Sequence, residues 1–224
     1  MNDVKKMFQF LEPSMKKCLI VIMTVALIGD LMHIWISYEF YNTPSQLIEP
    51  VCLHDWHIWI ISIALLVLGF LYSAKEFNGY IHIMARRKEF LLGTISYMVL
   101  ISIAMVLGNR LTCLVLTATV DGLLALPVDY FVNISFVKEW SLYVGMLSLG
   151  WCLGACCYRF RRVGILLSVG VGIEILMHLS EQVLNELLFE TPDLVGTLIY
   201  LSILLGSIGW LFLYSAPIKR YTKG

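Results

Sequence analysis

The sequence predicts an all-α polytopic membrane protein with six transmembrane helices and both termini in the cytoplasm. Of its 224 residues, 59% are hydrophobic and 14% are charged. The mean hydropathy is +0.81, and a chain of this composition is too apolar to be a soluble globular domain. Fourteen of the sixteen Lys and Arg residues fall in four clusters, and the other connections between apolar runs are acidic. Short basic loops stay on the cytoplasmic side, so this alternation predicts an even number of crossings.

The basic clusters lie before the first apolar run, after the second, after the fourth and at the end of the chain. They comprise Lys5, Lys6, Lys16 and Lys17; Lys75, Arg86, Arg87 and Lys88; Arg159, Arg161 and Arg162; and Lys219, Arg220 and Lys223. The acidic connections contain Glu39, Glu49 and Asp55; Asp129 and Glu139; and Glu181, Glu186, Glu190 and Asp193. Although the net charge of the chain is zero, this separation of basic from acidic connections predicts which end of each span faces the cytoplasm.

Each span is expected to be a helix, because lipid cannot satisfy exposed backbone N–H and C=O groups. A span needs about 20 apolar residues to cross roughly 30 Å of hydrocarbon. Six stretches qualify, at approximately 18–38, 56–74, 90–109, 139–158, 163–180 and 194–215. Residues 216–224 form a cytoplasmic tail, and the first apolar run is expected to be a retained span and not a signal peptide.

Three further segments accompany the spans. Residues 1–17 combine four lysines with apolar side chains, which suits an interfacial helix on the inner leaflet, or alternatively an ordinary basic tail. Residues 111–127 are apolar as well, and we expect either an outward extension of the third helix or an interfacial or re-entrant piece ending at Pro127. The apolar spacing within residues 180–192 predicts a short amphipathic helix on the outer surface.

Two carboxylates lie inside predicted spans, each with a histidine at helical spacing. Asp30 precedes His33 by three residues, and Glu174 precedes His178 by four, so each pair shares one helix face. An ionised group within the bilayer is costly and must face protein or water. Three interpretations remain open: local satisfaction of each carboxylate, a polar lining of a translocation pathway, or one shared metal or proton site. No metal ligand is assigned on this basis.

Small residues recur within the spans. Gly150 and Gly154 form a GxxxG pattern on the fourth span, and Gly206 and Gly209 lie on the sixth. Small faces let helices approach closely. Packing within one chain and a homodimer interface both explain such a pattern.

The stretch ARRKEFLLG, residues 85–93, resembles an element of small permease subunits of the ABC-2 type from Gram-positive bacteria. In that family a cytoplasmic turn carries a basic group, an acidic residue, an aromatic residue and an apolar-Gly step that opens the third span. The overall layout is also similar, with a basic interfacial N-terminus, six spans and an outer amphipathic element. The resemblance covers the whole chain as a layout and about ten residues as a motif.

The resemblance implies a transport subunit without catalytic residues, bound cofactor or metal of its own. The sequence has no Gly-rich stretch ending in Gly-Lys-Ser or Gly-Lys-Thr, so a phosphate-binding P-loop is lacking. ATP and Mg²⁺ would be bound by a separate cytoplasmic ABC ATPase subunit. The turn that couples the two subunits would contain Arg86, Arg87, Lys88, Glu89 and Phe90, with the cations facing acidic residues of the ATPase and Phe90 as the anchor.

The implied function is export of a peptide, antimicrobial or other amphipathic compound across the plasma membrane of a bacterium. Two permease chains, identical or different, would line one pathway in the bilayer, and nucleic acid is not an expected partner. One alternative is a secondary carrier driven by a proton or metal ion through Asp30, His33, Glu174 and His178. A membrane-embedded enzyme and a non-transporting anchor or regulator are further alternatives. The enzyme lacks support because no Ser–His, HExxH or paired-Asp arrangement occurs.

Overall fold

The computed structural model is all-helical, as the sequence predicts. It describes residues 16–17, 19–29, 31–32, 50–77, 87–124, 135–160, 163–166, 168, 170–171 and 194–216. Almost all of these residues are helical, and no strand occurs among them. An apolar chain reaches this state because every helix satisfies its own backbone hydrogen bonds.

Within the described part of the chain, five helices define the architecture. They are α1, Leu19–Gly29; α2, Pro50–Leu71; α3, Arg87–Leu124; α4, Phe136–Phe160; and α5, Leu194–Tyr214. Each of these helices overlaps one of the predicted apolar runs. The start of α2 at a proline has a simple cause, since the first helical position needs no N–H donor.

Helix α3 settles the conformation of the apolar stretch after Asn109. It runs without interruption for 38 residues, about 57 Å at 1.5 Å per residue. The extension of the third helix is therefore the alternative that the structure adopts up to Leu124. This length exceeds the hydrocarbon thickness of a bilayer, about 30 Å, so one end of α3 projects beyond it.

Among the described residues, three helical segments are long and apolar enough to cross a membrane: Arg87–Val115, Phe136–Phe160 and Val195–Tyr214. Two shorter apolar helices, Leu19–Gly29 and Ile58–Ala74, accompany them. These segments identify the chain as a membrane protein. Most of the predicted interfacial helix at 1–17, the outer helix at 180–192 and the tail at 216–224 lie outside the described residues.

Helix α4 is the centre of the bundle, with α2 packed on one side and α5 on the other. Its contact with α2 depends on glycine. A methyl group at Gly150 would overlap the Leu66 carbonyl oxygen, and one at Gly154 would overlap atoms of Phe70 and Ser73. The GxxxG pattern therefore lets α2 and α4 approach within one chain.

An aromatic cluster joins three helices at one end of the bundle. Phe77 lies just after α2, Phe90 in the first turn of α3, and Tyr158 in the last turn of α4. The Phe77 ring contacts each of the other two edge-on, with centroids 5.3 Å apart in both pairs. All three side chains are buried, so these helix ends are fixed relative to one another.

The segment that directly follows α2 winds more widely than an α-helix. Tyr72–Glu76 forms a π-helical turn, which leaves carbonyl groups without their usual partners. The hydroxyl of Ser73 donates to the carbonyl oxygens of Gly69 and Phe70, at 3.3 and 3.2 Å. The turn packs against α4 at the same end of the bundle as the aromatic cluster.

Candidate functional site

A buried carboxylate joins α3 to α4. Glu139 lies in the first turn of α4, and its side chain is fully buried. Its Oε1 accepts a hydrogen bond from Nδ2 of Asn109 at 2.7 Å. Its Oε2 lies 3.4 Å from Nε of Arg110. Asn109 and Arg110 are consecutive on α3, so one segment of that helix supplies both an amide donor and a cation to the same carboxylate.

Other side chains complete this polar cluster. Tyr143, one turn after Glu139 on α4, is also fully buried. The thiol of Cys113 lies 3.9 Å from Oδ1 of Asn109, one turn further along α3. The guanidinium of Arg110 lies 5.7 Å from the centre of the Phe136 ring, a favourable cation–π geometry. Asn109, Arg110, Cys113, Glu139 and Tyr143 are called the polar cluster below.

The polar cluster is organised as a buried ion pair with one open side. Arg110 leaves 41% of its side chain exposed, whereas Glu139 has none of its side chain exposed. Burying a carboxylate is costly unless hydrogen bonds and an opposite charge satisfy it. The arrangement therefore holds a cation at the surface of the bundle and fixes its position through a carboxylate beneath it.

The opposite end of the bundle is basic. Arg87, the first residue of α3, donates from Nη1 to the carbonyl oxygen of Tyr214 at 2.6 Å. Arg159, near the end of α4, donates to the Phe212 carbonyl oxygen at 3.4 Å and to the Ser215 hydroxyl. A cation at the carboxyl end of a helix satisfies free carbonyls and the helix dipole. We call this region, centred on Arg87 and Arg159, the basic end.

The polar cluster and the basic end are far apart along α3. Asn109 follows Arg87 by 22 residues along one helix, which is about 33 Å. This spacing matches the hydrocarbon thickness of a bilayer, about 30 Å. The two groups of polar residues are therefore separated by about the hydrocarbon thickness of a bilayer.

Four of the five predicted coupling residues lie at the basic end, and Arg86 lies outside the described residues. Arg87, Lys88, Glu89 and Tyr214 line an open cleft of about 570 Å³. Lys88 is exposed, and Glu89 is half-buried. Phe90 is fully buried and packs against Phe77. The ring fills the protein interior, and the anchor role of Phe90 stays a prediction.

The predicted intramembrane residues Asp30, His33, Glu174 and His178 lie outside the described residues. Within the described ranges, no three His, Cys, Asp or Glu side chains come together as a possible metal site. The polar cluster was missed because Glu139 was assigned to an acidic connection. The sequence feature that could have indicated the polar cluster is the pair Asn109-Arg110, which interrupts an apolar run. Arg110 and Lys138 are the two cations that lie outside the four basic clusters.

Comparison with known proteins identifies no relative. No protein-family model, no curated protein and no solved structure matches this chain. The class of the protein therefore follows from its helices and their apolarity, and its function is argued from the two polar ends.

Proposed function

We propose that this chain is the permease subunit of an ATP-driven exporter of the ABC-2 type in a bacterial plasma membrane. It acts as a dimer, identical or mixed, with a separate cytoplasmic ATPase that binds ATP and Mg²⁺. The cargo is a peptide, antimicrobial or other amphipathic compound. The observation that carries this proposal is the cleft at the basic end, which Arg87, Lys88, Glu89 and Tyr214 line.

The cleft suits a contact that transmits force. It lies at the first turn of α3, a single 38-residue helix, and next to the carboxyl end of α5. Because Arg87 bonds to the Tyr214 carbonyl oxygen, displacement of this turn acts on α3 and α5 together. Phe90 and Phe77 connect the same turn to α2. An ATPase that pushes on Lys88 and Glu89 therefore moves several helices at once.

The long α3 carries that movement to the other membrane interface. Asn109 and Arg110 lie about 33 Å from the cleft and bind Glu139 of α4. A tilt of α3 changes this junction, because the carboxylate depends on both partners. In the proposed cycle, closure of the ATPase tilts α3 and alters access between the polar cluster and the membrane.

The test is co-purification from the organism's own membranes. A tagged full-length chain is extracted in mild detergent, and an ABC ATPase is sought by mass spectrometry and by ATP hydrolysis. Lys88→Glu reverses an exposed charge at the cleft and is expected to remove most of the ATPase. Lys138→Glu makes the same change at the opposite end and should retain it. Absence of any ATPase from the unmodified chain contradicts the proposal.

An ion-coupled carrier is the second candidate, and the buried Glu139 favours it. An ionisable group inside an apolar helix is often part of an ion path. Purified chain is reconstituted in liposomes that contain a pH-sensitive dye, and proton entry is driven by a membrane potential. Proton entry that Glu139→Gln abolishes, without any ATPase present, supports the carrier. Proton-tight liposomes support the ATP-driven permease.

A further inference from the structure

Two guanidinium groups contact the last turn of α5. Arg87 of α3 donates to the carbonyl oxygen of Tyr214 at 2.6 Å. Arg159 of α4 donates to the carbonyl oxygen of Phe212 at 3.4 Å and to the hydroxyl of Ser215. These three acceptors span about 4.5 Å along the helix axis. The two cations therefore lie close together at one helix end.

The positive charge of these two arginines is not balanced by carboxylates in the part of the chain that the structure describes. There, Glu76 and Glu89 are the acidic residues at this end of the bundle, and neither forms an ion pair with either arginine. The carboxyl ends of α4 and α5 each carry about half a negative charge, which is together less than two full positive charges. Positive charge therefore remains at this helix end.

The two arginines also keep hydrogen-bond donors for a further partner. A guanidinium has five N–H groups, and the hydrogen bonds to α5 engage a single nitrogen of each, Nη1. The side chains of Arg87 and Arg159 are both partly exposed. The guanidinium of Arg159 lies 5.6 Å from the centre of the Phe160 ring, which fixes its position without neutralising it. An anion can therefore reach both groups.

The same helix end lies where three apolar segments terminate. The described segments that are long and apolar enough to cross a membrane include Arg87 as a first residue and Phe160 and Tyr214 as last residues. The hydrogen bonds of the two arginines bring these three ends together. Phe160 and Tyr214 are 45% and 46% exposed, as is typical of aromatic residues at the boundary between hydrocarbon and headgroups. We therefore expect the two cations at the depth of the lipid headgroups.

An exposed apolar strip runs along α5 from this point. Tyr200, Ile203, Leu204 and Leu211 lie on the same helix face as Tyr214, and between 45% and 70% of each of the four is exposed. The strip is about 21 Å long, which exceeds half the hydrocarbon thickness of a bilayer, about 15 Å. A soluble anion would leave this strip uncovered, whereas the acyl chains of a lipid cover it.

From this arrangement we propose that the last turn of α5 is a binding site for an anionic phospholipid. The phosphate contacts the remaining N–H groups of Arg87 and Arg159, and the acyl chains lie along the exposed strip of α5. Guanidinium groups bind phosphate through charge-assisted hydrogen bonds, and basic sites between membrane helices select anionic headgroups. Because one arginine belongs to α3 and the other to α4, the bound lipid holds both helices at the end of α5.

Lipid binding does not rest on the proposed function, because it requires neither ATP nor an ATPase. The proposed ATPase contact uses Lys88 and Glu89, which are not among the lipid contacts. A failed ATPase co-purification therefore leaves this inference standing, and a failed lipid measurement leaves the ATPase proposal standing.

Lipid titrations followed by native mass spectrometry test the site. The full-length chain is purified in detergent, stripped of lipid and titrated separately with dioleoylphosphatidylglycerol and dioleoylphosphatidylcholine. We expect the first phosphatidylglycerol to bind about fivefold more tightly than the first phosphatidylcholine. Hydrogen exchange locates the lipid. The amides of Ser215 and Ala216 bond to the last turn of α5, and they should exchange more slowly with phosphatidylglycerol only.

Matched variants separate this site from diffuse charge. Arg159→Gln keeps an amide donor for the Phe212 carbonyl oxygen but removes the charge, and it should lower the preference for phosphatidylglycerol to about twofold or less. Arg159→Lys should retain part of the preference. Ser215→Ala removes a neutral contact of the same guanidinium, and Lys138→Gln removes one charge at the opposite end of the bundle; both should leave the preference unchanged. Arg87→Gln changes a different helix and should act like Arg159→Gln, in case the latter folds poorly.

Four results would overturn the inference. Equal affinity for the two lipids removes the anionic headgroup. An equal loss of preference in Lys138→Gln and Arg159→Gln shows that only the net charge of the chain matters. Binding that leaves the exchange of Ser215 and Ala216 unchanged places the lipid elsewhere. Glycerol 1-phosphate that displaces phosphatidylglycerol at equal concentration assigns the site to a soluble phosphate compound.

Discussion

Asn109 and Glu139 are 30 residues apart in the chain, and the amide of the first donates a 2.7 Å hydrogen bond to the carboxylate of the second. Both side chains are fully buried, and both lie in helices that are apolar enough to span a membrane. The bond therefore satisfies two polar groups that water cannot reach. It fixes α3 against α4 at one end of the bundle, while the arginines at the basic end bind α5 to the same two helices.

Loss of the Asn109 amide should destabilise the protein. Asn109→Ala leaves Oε1 of Glu139 buried without its donor, which costs about 2 kcal/mol. Thermal unfolding in detergent is the measurement, and Ser96→Ala on the exposed side of α3 is the control. The double variant Asn109→Ala, Glu139→Ala should lose less than the sum of the two single variants, because one interaction is removed twice. Additive losses would contradict the coupling.

Gly150→Ala should weaken the contact between α2 and α4. The added methyl group overlaps the Leu66 carbonyl oxygen, and such overpacking typically costs about 1 to 3 kcal/mol. Gly206→Ala, which adds the same methyl group in open space, should have little effect. Thermal unfolding of both variants decides the matter, and equal stability would show that the GxxxG pattern is not a packing contact within the chain.

Phe90→Ala should reduce stability by about 3 to 5 kcal/mol, because it removes a fully buried ring. Leu92→Ala, two residues along the same helix with a side chain that is 53% exposed, is the control and should cost little. Chemical denaturation in mixed micelles measures the difference. A folded Phe90→Ala protein that loses only its ATPase partner would contradict this stability prediction and support the anchor role.

Arg87→Gln should loosen the end of α5. The Tyr214 carbonyl oxygen loses its donor at 2.6 Å, and the helix dipole loses a cation. Hydrogen exchange at Ser215 and Ala216, whose amides bond to the last turn, should become faster. Lys88→Gln, one residue on, should not change it. Unchanged exchange in the Arg87 variant would mean that Arg159 alone holds this end.

The orientation of the two ends can be checked by labelling intact cells. With the native cysteines replaced, a cysteine at Lys138 should react with an impermeant maleimide, and one at Lys88 should react only after lysis. Engineered cysteines near Gln46 and Asn185 should behave like Lys138, and those near His82 and Arg161 like Lys88. External labelling at Lys88 or Arg161 would reverse the predicted topology.

The local features of the chain follow from its composition and its charge pattern. The apolar runs are helical in the residues that the structure describes, because a helix satisfies its own backbone N–H and C=O groups in lipid. The third run shows the limit of this reasoning: its apolar residues continue beyond Asn109, and only the structure distinguishes one unbroken α3 from two separate segments. The basic residue Arg87 was expected at a membrane interface, but its contact with Tyr214 depends on how α5 returns to α3.

The sequence by itself determined the class of the protein, the all-α architecture and the separation of basic from acidic connections, because these depend on the solvent and on the local chain. Tertiary structure alone decided which side chains meet. Phe90 became an interior residue because the Phe77 ring packs edge-on against it. Gly150 faces α2 because Leu66 lies directly opposite. Glu139 became the partner of Asn109 and Arg110 through the crossing of two helices, which no spacing within either helix encodes.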